Sequence, residues 1–152
     1  MNNKIIAVIV SILALATTVF GQSRSRFGNL STRGFVGTGD FVLIAGSIIV
    51  GSELKTVIVR ALGPSLGNFG LFGTLQDPVL EIYDSNGGLI ASNDDWRDDP
   101  YAYQVQAYGL APSYDSESAI YDVVPPGNYT VIVRGYRESV GLALVEIYDP
   151  AP

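Results

Sequence analysis

The chain has 152 residues with no cysteine and no histidine, and its 15 acidic and 9 basic side chains give a net charge of −6 at pH 7. The absence of these two residue types excludes disulfides and most transition-metal and nucleophile–base chemistry. An acidic chain is also poorly suited to nucleic acid, whose phosphates require lysine and arginine.

The first 21 residues have the three parts of a secretory signal peptide. Lys4 supplies a positive start, an apolar run extends to Phe20, and the small residue Gly21 precedes the expected cleavage. Cleavage after Ala16 is the second possibility. A retained membrane anchor is the alternative, which the length of the run disfavours because a bilayer span needs about 20 apolar residues. We therefore predict a secreted protein, extracellular or at the cell surface, with no membrane span after cleavage.

The mature chain, 22–152, has the length of one domain. Residues 22–38 form a basic, glycine-rich N-terminal segment without a clear strand pattern, and residues 39–152 are expected to form the folded domain.

Strand signals dominate the folded part. Short runs of β-branched and aromatic residues are bounded by Gly, Pro, Asn and Asp, which is typical of a β-sandwich or barrel. They predict strands at 41–50, 55–61, 79–84, 89–92, 119–124, 128–135 and 142–148. Residues 85–88 and 125–128 are predicted to be tight hairpin turns because their Gly and Asn accept positive φ. A third hairpin turn is predicted at 51–53.

One short helix is predicted near residues 99–108. Asp99 precedes Pro100, a residue suited to the first helical position. Tyr101, Val105 and Tyr108 then recur at the spacing of one helical face. We expect this helix to lie across one open side of the sandwich.

Two short phrases occur twice, in the same order. TVIVR occupies 56–60 and 130–134, and the related LEIYD and VEIYD occupy 80–84 and 145–149. Because side chains alternate along a strand, both copies of each phrase have the same inward and outward residues. This predicts two similar halves that share one core. Chance similarity among strand-rich segments is the alternative.

Several motifs resemble a bacterial secreted β-domain family. They are NLSTRGFVGTGD (29–40), TVIVRALGPSL (56–66), NDDWRD (93–98), LAPSYDSESAI (110–120), PPGNYTVIVRG (125–135) and ALVEIYD (143–149). Members of this family often lie at the carboxyl end of large exported proteins, and the resemblance implies no established activity.

From Asp77 onward the chain also resembles the bacterial pre-peptidase C-terminal domain. The likeness rests on Asn93-Asp94, Glu117 and the start of the strand at 127–129. That family is a calcium-binding, jelly-roll-like sandwich attached to secreted hydrolases. With the strand pattern, the resemblance implies an all-β, antiparallel β-sandwich of about seven or eight strands in two similar halves.

The densest polar cluster provides candidate calcium ligands. Asn93, Asp94 and Asp95 are consecutive, and Asp84 and Glu117 would approach from neighbouring strands. Calcium prefers such hard oxygen ligands. The alternative is an ordinary loop whose side chains bond their own backbone and cap the next helix.

Aromatic residues beside these carboxylates suggest a site for sugar rings. Trp96, Tyr101 and Tyr103 are the candidates, and packing in the core or at its rim is the alternative. A glycosidase would need two carboxylates at a defined separation, and nothing in the spacing supports such a pair.

No residue set indicates a reaction, so we predict a non-catalytic structural or adhesive module. It would associate with itself or with other surface proteins through open sheet edges, or through the basic segment 22–38. Alternatively, the segment 22–38 packs around the domain of its own chain. The second functional hypothesis is a calcium-dependent carbohydrate-binding module whose partner is a polysaccharide.

Overall fold

The computed structural model describes residues 28–150, so the predicted signal peptide and residues 22–27 lie outside the described residues. The described part has eight strands: β1 (Asn29–Val36), β2 (Leu43–Ile49), β3 (Lys55–Leu62), β4 (Pro78–Tyr83), β5 (Leu89–Asn93), β6 (Ser118–Val124), β7 (Gly127–Gly135) and β8 (Gly141–Tyr148). A helix, α1 (Ala102–Ala107), and short 3₁₀ helices at Pro64–Phe69, Trp96–Asp98 and Tyr136–Glu138 complete it. No helix in this part is long and apolar enough to cross a membrane.

The strands form two four-stranded antiparallel sheets. Sheet I has the order β1-β8-β3-β6, and sheet II has the order β2-β7-β4-β5. Eight antiparallel strands in two such sheets form a jelly roll. The predicted all-β sandwich is therefore confirmed.

The repeated phrases occupy equivalent places in the two sheets. If four is added to each strand number of sheet I, and eight is subtracted where the sum exceeds eight, the order becomes β5-β4-β7-β2. This is the order of sheet II in reverse. The first TVIVR strand, β3, pairs with the VEIYD strand β8, and the second, β7, pairs with the LEIYD strand β4. The two similar halves are therefore interleaved, and each sheet takes one phrase from each half.

The main core lies between the sheets and contains the residues that strand alternation predicts. Val59, Leu80, Val131 and Val145 all point into it and are almost fully buried. Burial of apolar surface contributes about 25 cal/mol per Å², so this layer is the main stabilising contact between the sheets.

The helix packs on the outer face of sheet I, as predicted. Ile58, Val105 and Ala119 form a second apolar cluster there, so β3 is covered on both faces. The helix starts at Ala102 rather than near 99, because a turn precedes it. In that turn the Asp99 carboxylate accepts a hydrogen bond of 2.7 Å from the N–H of Tyr101.

Strand β1 was not predicted from the sequence. It is an edge strand of sheet I, in register with β8 from the pair Asn29 and Tyr148 to the pair Val36 and Gly141. Only Val36 among its side chains is buried. Backbone hydrogen bonds rather than burial therefore hold most of this strand in place.

Two of the three predicted hairpins are corrected by the structure. The turn at 85–88 does join a hydrogen-bonded pair, β4 and β5. The turns at 51–53 and 125–128 instead connect strands of opposite sheets, β2 to β3 and β6 to β7. Turn residues specify that the chain reverses, but they do not specify which strand it then pairs with.

The equivalent isoleucines of the two TVIVR copies should differ in their contribution to stability. Ile58 is fully buried beneath α1, whereas Ile132 is half-buried on the outer face of sheet II. Ile58→Ala should therefore lower the free energy of unfolding by about 2–4 kcal/mol, and Ile132→Ala by less than about 1.5 kcal/mol. Urea denaturation of both variants measures the difference. Equal losses would contradict the asymmetric covering of the two sheets.

Candidate functional site

The two ends of the sandwich differ in what they carry. Four connections lie at one end, the loop end, at residues 37–42, 63–77, 94–117 and 136–140. The opposite end, the terminal end, has three short turns and both ends of the described chain. Most of the predicted site residues lie in or beside the connection 94–117.

Glu117 is fully buried and binds the protein backbone. One carboxylate oxygen accepts hydrogen bonds from the N–H groups of Gly63 (3.0 Å) and Ser65 (2.9 Å) and from the Ser65 hydroxyl. The other accepts a hydrogen bond of 3.3 Å from the N–H of Tyr114. A Cβ at Gly63 would lie 1.8 Å from the carbonyl oxygen of Leu75, so glycine is required there. These donors solvate the buried charge, and Glu117 fastens two connections together.

Two further predicted calcium ligands also bind the backbone. The Asn93 amide donates to the carbonyl oxygen of Asp95 (2.8 Å), and its oxygen accepts from the N–H of Ala119 (3.0 Å). A carboxylate oxygen of Asp84 accepts two backbone N–H bonds, at 2.8 and 2.9 Å, within the hairpin 84–88.

Three of the five predicted calcium ligands are engaged within the protein. Glu117, Asn93 and Asp84 each accept hydrogen bonds from backbone N–H groups. Among residues 28–150, no group of three or more histidine, cysteine or acidic side chains is arranged to hold a metal ion.

Asp94 and Asp95 remain, within a group of aspartates at the loop end. Burial raises the pKa of Asp95, and the negative charges of Asp94, Asp98 and Asp115 raise it further. Burial also raises the pKa of Asp77, followed by the charges of Asp95 and Asp94. These carboxylates repel one another at neutral pH. Calcium binding by Asp94 and Asp95 stays a prediction.

The three predicted sugar-binding aromatics do not form one platform. Trp96 is only 3% exposed, and the Arg97 guanidinium lies 4.3 Å from the centre of its ring. Its face is therefore not available for stacking. Tyr101 packs against Tyr121 with ring centres 5.9 Å apart. Tyr103, at 77% exposure, is the member of the three that projects freely.

The outward residues of the repeated phrases build a polar set on sheet I. Arg60 donates from Nε to the Glu146 carboxylate (2.9 Å) and from Nη1 to the carbonyl oxygen of Leu110 (2.8 Å). Nη2 reaches the same carboxylate and donates to the Tyr148 hydroxyl (2.8 Å). This set ties β3 and β8 to the connection 94–117.

The same set recurs on sheet II with equivalent residues. Arg134 donates from Nε to the Glu81 carboxylate (3.2 Å) and from Nη1 to the carbonyl oxygen of Gly39 (3.2 Å). The Tyr83 hydroxyl donates to Glu81 (3.0 Å). The repeated Arg, Glu and Tyr are therefore structural residues that fasten a connection of the loop end to each sheet.

An exposed apolar surface, which the sequence analysis did not identify, occupies the loop end. All four phenylalanines of the described residues are 63–91% exposed. We call them the phenylalanine surface: Phe35, Phe41, Phe69 and Phe72. Each has a glycine within two residues in sequence, and three of the four lie in connections. That combination was the available signal, because a core phenylalanine would be expected inside a strand.

The two connections that carry phenylalanines, 37–42 and 63–77, both contact the segment 136–142. The N–H of Gly39 donates to the Glu138 carboxylate (2.9 Å), which joins 37–42 to 136–140. The N–H of Leu142 donates to the carbonyl oxygen of Gly73 (2.8 Å), and Leu142 is also the strand partner of Phe35. The phenylalanines thus converge on one end of the molecule.

Two concave features lie on the described residues. An apolar crevice between the sheets at the terminal end encloses at most about 260 Å³, below the roughly 300 Å³ from which small-molecule sites usually start. A second depression, lined by Tyr83, Thr130 and Ile132, is an open area on the outer face of sheet II.

No protein-family model matches the chain, and no curated protein matches it. Among solved structures, the chain is similar to the pre-peptidase C-terminal domain of a collagenase from Bacillus anthracis. The TM-score is 0.48, with 12% sequence identity over 78% of this chain and 88% of that domain. This degree of likeness assigns neither a family nor a function. The resemblance to the secreted β-domain family rests on its sequence motifs alone.

Replacement of Glu117 should destabilise the domain whether or not calcium is present. Glu117→Gln removes the charge and turns an amide donor toward backbone donors, so the free energy of unfolding should fall by about 2–4 kcal/mol. Urea denaturation is measured in chelator and in calcium. Asp115→Asn, an exposed partner of Arg97, is the control and should change stability by less than about 0.5 kcal/mol. A loss confined to the calcium samples would show that Glu117 holds a cation.

Replacement of Asp95 should stabilise the domain at neutral pH. A raised folded-state pKa means that the folded chain holds the proton more tightly, so charged Asp95 costs stability as the pH rises through that pKa. Asp95→Asn should gain about 0.5 kcal/mol or less at neutral pH, because solvent screens the group. The gain should disappear at about pH 3, where both states are protonated.

Chemical denaturation at the two pH values tests this gain, and Asp40→Asn is the control outside the aspartate group. Calcium bound by Asp94 and Asp95 would reverse the sign, because it would stabilise the original protein alone.

Proposed function

We propose that the chain is a secreted, non-catalytic structural or adhesive module that attaches to its partner through the phenylalanine surface. The observation that carries this proposal is the exposure of all four described phenylalanines at one end of the sandwich, three of them in connections and Phe35 near the end of β1. Large exposed apolar surface marks interaction sites in soluble proteins.

The energetic argument favours attachment. Burying a phenylalanine side chain contributes about 1.5–3 kcal/mol relative to leaving it in water. Four such side chains would gain much of that free energy on contact, and the connections that carry Phe41, Phe69 and Phe72 are themselves fastened to the sheets. The fastening keeps the ordering cost of the contact low, because the connections need not rearrange.

The polar groups support a non-catalytic role. Glu117 accepts four hydrogen bonds from the protein, and Arg60 and Arg134 are paired with glutamates. These groups stabilise connections rather than face a cleft. The carbohydrate-binding alternative would depend on Tyr103 with Asp94 and Asp95. The following experiment distinguishes that alternative from the proposal.

Loss of the phenylalanine surface should release the protein from the surface or matrix of cells that secrete it. In the variant Phe41→Ser/Phe72→Ser, the attached fraction should fall at least about tenfold, because two large apolar contacts are lost. Fractionation of cells and medium measures it, and thermal unfolding checks that the variant is folded.

Tyr103→Ser is the matched control, since it removes an equally exposed aromatic side chain from α1. It should leave attachment unchanged. If Tyr103→Ser releases the protein and the phenylalanine variant does not, the carbohydrate-binding alternative replaces the proposal.

A further inference from the structure

We infer that the occupant of the phenylalanine surface is a second copy of this chain, which forms a two-fold symmetric dimer joined at the loop ends. This inference rests on the proposed function and names its partner. Two observations carry it, the area of the surface and its shape, and the negative charge of the domain determines how the dimer should respond to salt.

The area is sufficient for a stable dimer. A phenylalanine buries about 150–250 Å², so four of them at the observed exposures would bury roughly 500–800 Å² on each copy. Two copies would then bury about 1,000–1,600 Å² in total, which reaches the range of specific protein–protein interfaces. The half-exposed Val140 in the connection 136–140 adds to the same surface.

The shape of the surface is suited to a copy of itself. Gly39, Gly70 and Gly73 lie within two residues of a phenylalanine in sequence, and a Cβ built at any of them would meet nothing within 4 Å beyond its own chain neighbours. The surface therefore combines projecting rings with open positions that have no side chain. A two-fold axis would place the rings of one copy over the open positions of the other, as an isologous interface requires.

Charge disfavours several other partners. The described residues include all 15 acidic side chains and six of the nine basic ones, so the folded part is strongly negative. Anionic lipid headgroups and other acidic molecules would be repelled. Near the surface, Glu138 is engaged by Gly39, and the Arg137 guanidinium lies 5.0 Å from the centre of the Tyr136 ring. The centre of the contact can therefore be apolar.

Two negative copies also repel each other, which gives the dimer a distinctive response to salt. Added salt screens the repulsion while leaving the apolar contact intact, so association should strengthen as ionic strength rises. A basic partner on the same surface would show the opposite dependence.

Analytical ultracentrifugation of the mature chain, residues 22–152, tests the inference from about 1 to 100 µM protein, a range that resolves a micromolar dissociation constant. The protein should sediment as a dimer, more tightly in high salt. Phe41→Ser/Phe72→Ser should raise the dimer dissociation constant at least about 100-fold. Tyr103→Ser should leave it unchanged, and equal thermal unfolding midpoints for the monomers show that folding is intact.

A crosslinking arm locates the contact, because the chain has no cysteine of its own. With a bismaleimide long enough to reach across the symmetry axis, Phe72→Cys should form a covalent dimer, whereas Tyr103→Cys should remain monomeric. A monomer throughout the concentration range, or a dimer that survives the phenylalanine substitutions, overturns the inference.

The failure of this inference is distinguishable from failure of the proposed function. If the purified chain is monomeric but the phenylalanine variant still leaves the cell surface, attachment stands and the partner is another molecule. Binding of the monomer to vesicles of zwitterionic lipid, lost in that variant, would identify the partner as a lipid surface.

Discussion

An arginine on a central strand of each sheet binds a glutamate of the neighbouring strand and a carbonyl group of a loop-end connection, and so holds that sheet and its connection together. Arg60 with Glu146 does this on sheet I, and Arg134 with Glu81 does it on sheet II. The guanidinium group suits the task because its fork of donors can satisfy two acceptors in fixed directions. The pair on sheet I is the more buried of the two. Breaking it would leave an uncompensated buried charge, whereas the pair on sheet II is closer to a surface ion pair.

The difference between the two sheets originates in the length of one pair of connections. The shift by four strands makes the connection 94–117, between β5 and β6, the equivalent of 37–42, between β1 and β2. The longer one carries α1 over sheet I, and the buried carboxylate of Glu117 fixes its far end. The shorter connection, 37–42, contacts Arg134 but does not extend across sheet II. The outer face of sheet II therefore stays open, and Phe41 is exposed to solvent. This difference in length leaves the first copy of TVIVR covered on both faces and the outer face of the second copy open.

The features that the sequence predicted correctly are those that depend on the periodicity of apolar and polar side chains along each strand. Alternation identified the core strands, because both faces of those strands have distinct environments, and the repeated phrases predicted two similar halves. That the halves interleave follows only from the strand order of the sheets. Alternation missed β1, whose side chains are exposed except for Val36, so that no alternation marks it. Oxygen-rich side chains indicated calcium ligands, yet the sequence does not show which backbone N–H groups approach Glu117 and Asn93. The burial of Trp96 could not be predicted either, because it depends on how the connection 94–117 folds back over sheet I.

The distribution of phenylalanine connects this fold to its proposed role. Phenylalanine is normally among the most buried residue types, but the core between these sheets is built from valine, isoleucine, leucine and alanine. Such branched side chains fill the narrow space between closely packed strands, and the described phenylalanines lie outside it. At the same end, Glu117 and Asn93 are turned inward and hold the connections, whereas Asp98 and Asp115 are exposed. Buried polar side chains therefore provide the internal order of the loop end, and exposed phenylalanines give its outer surface the apolar area through which a partner would be bound by excluding water.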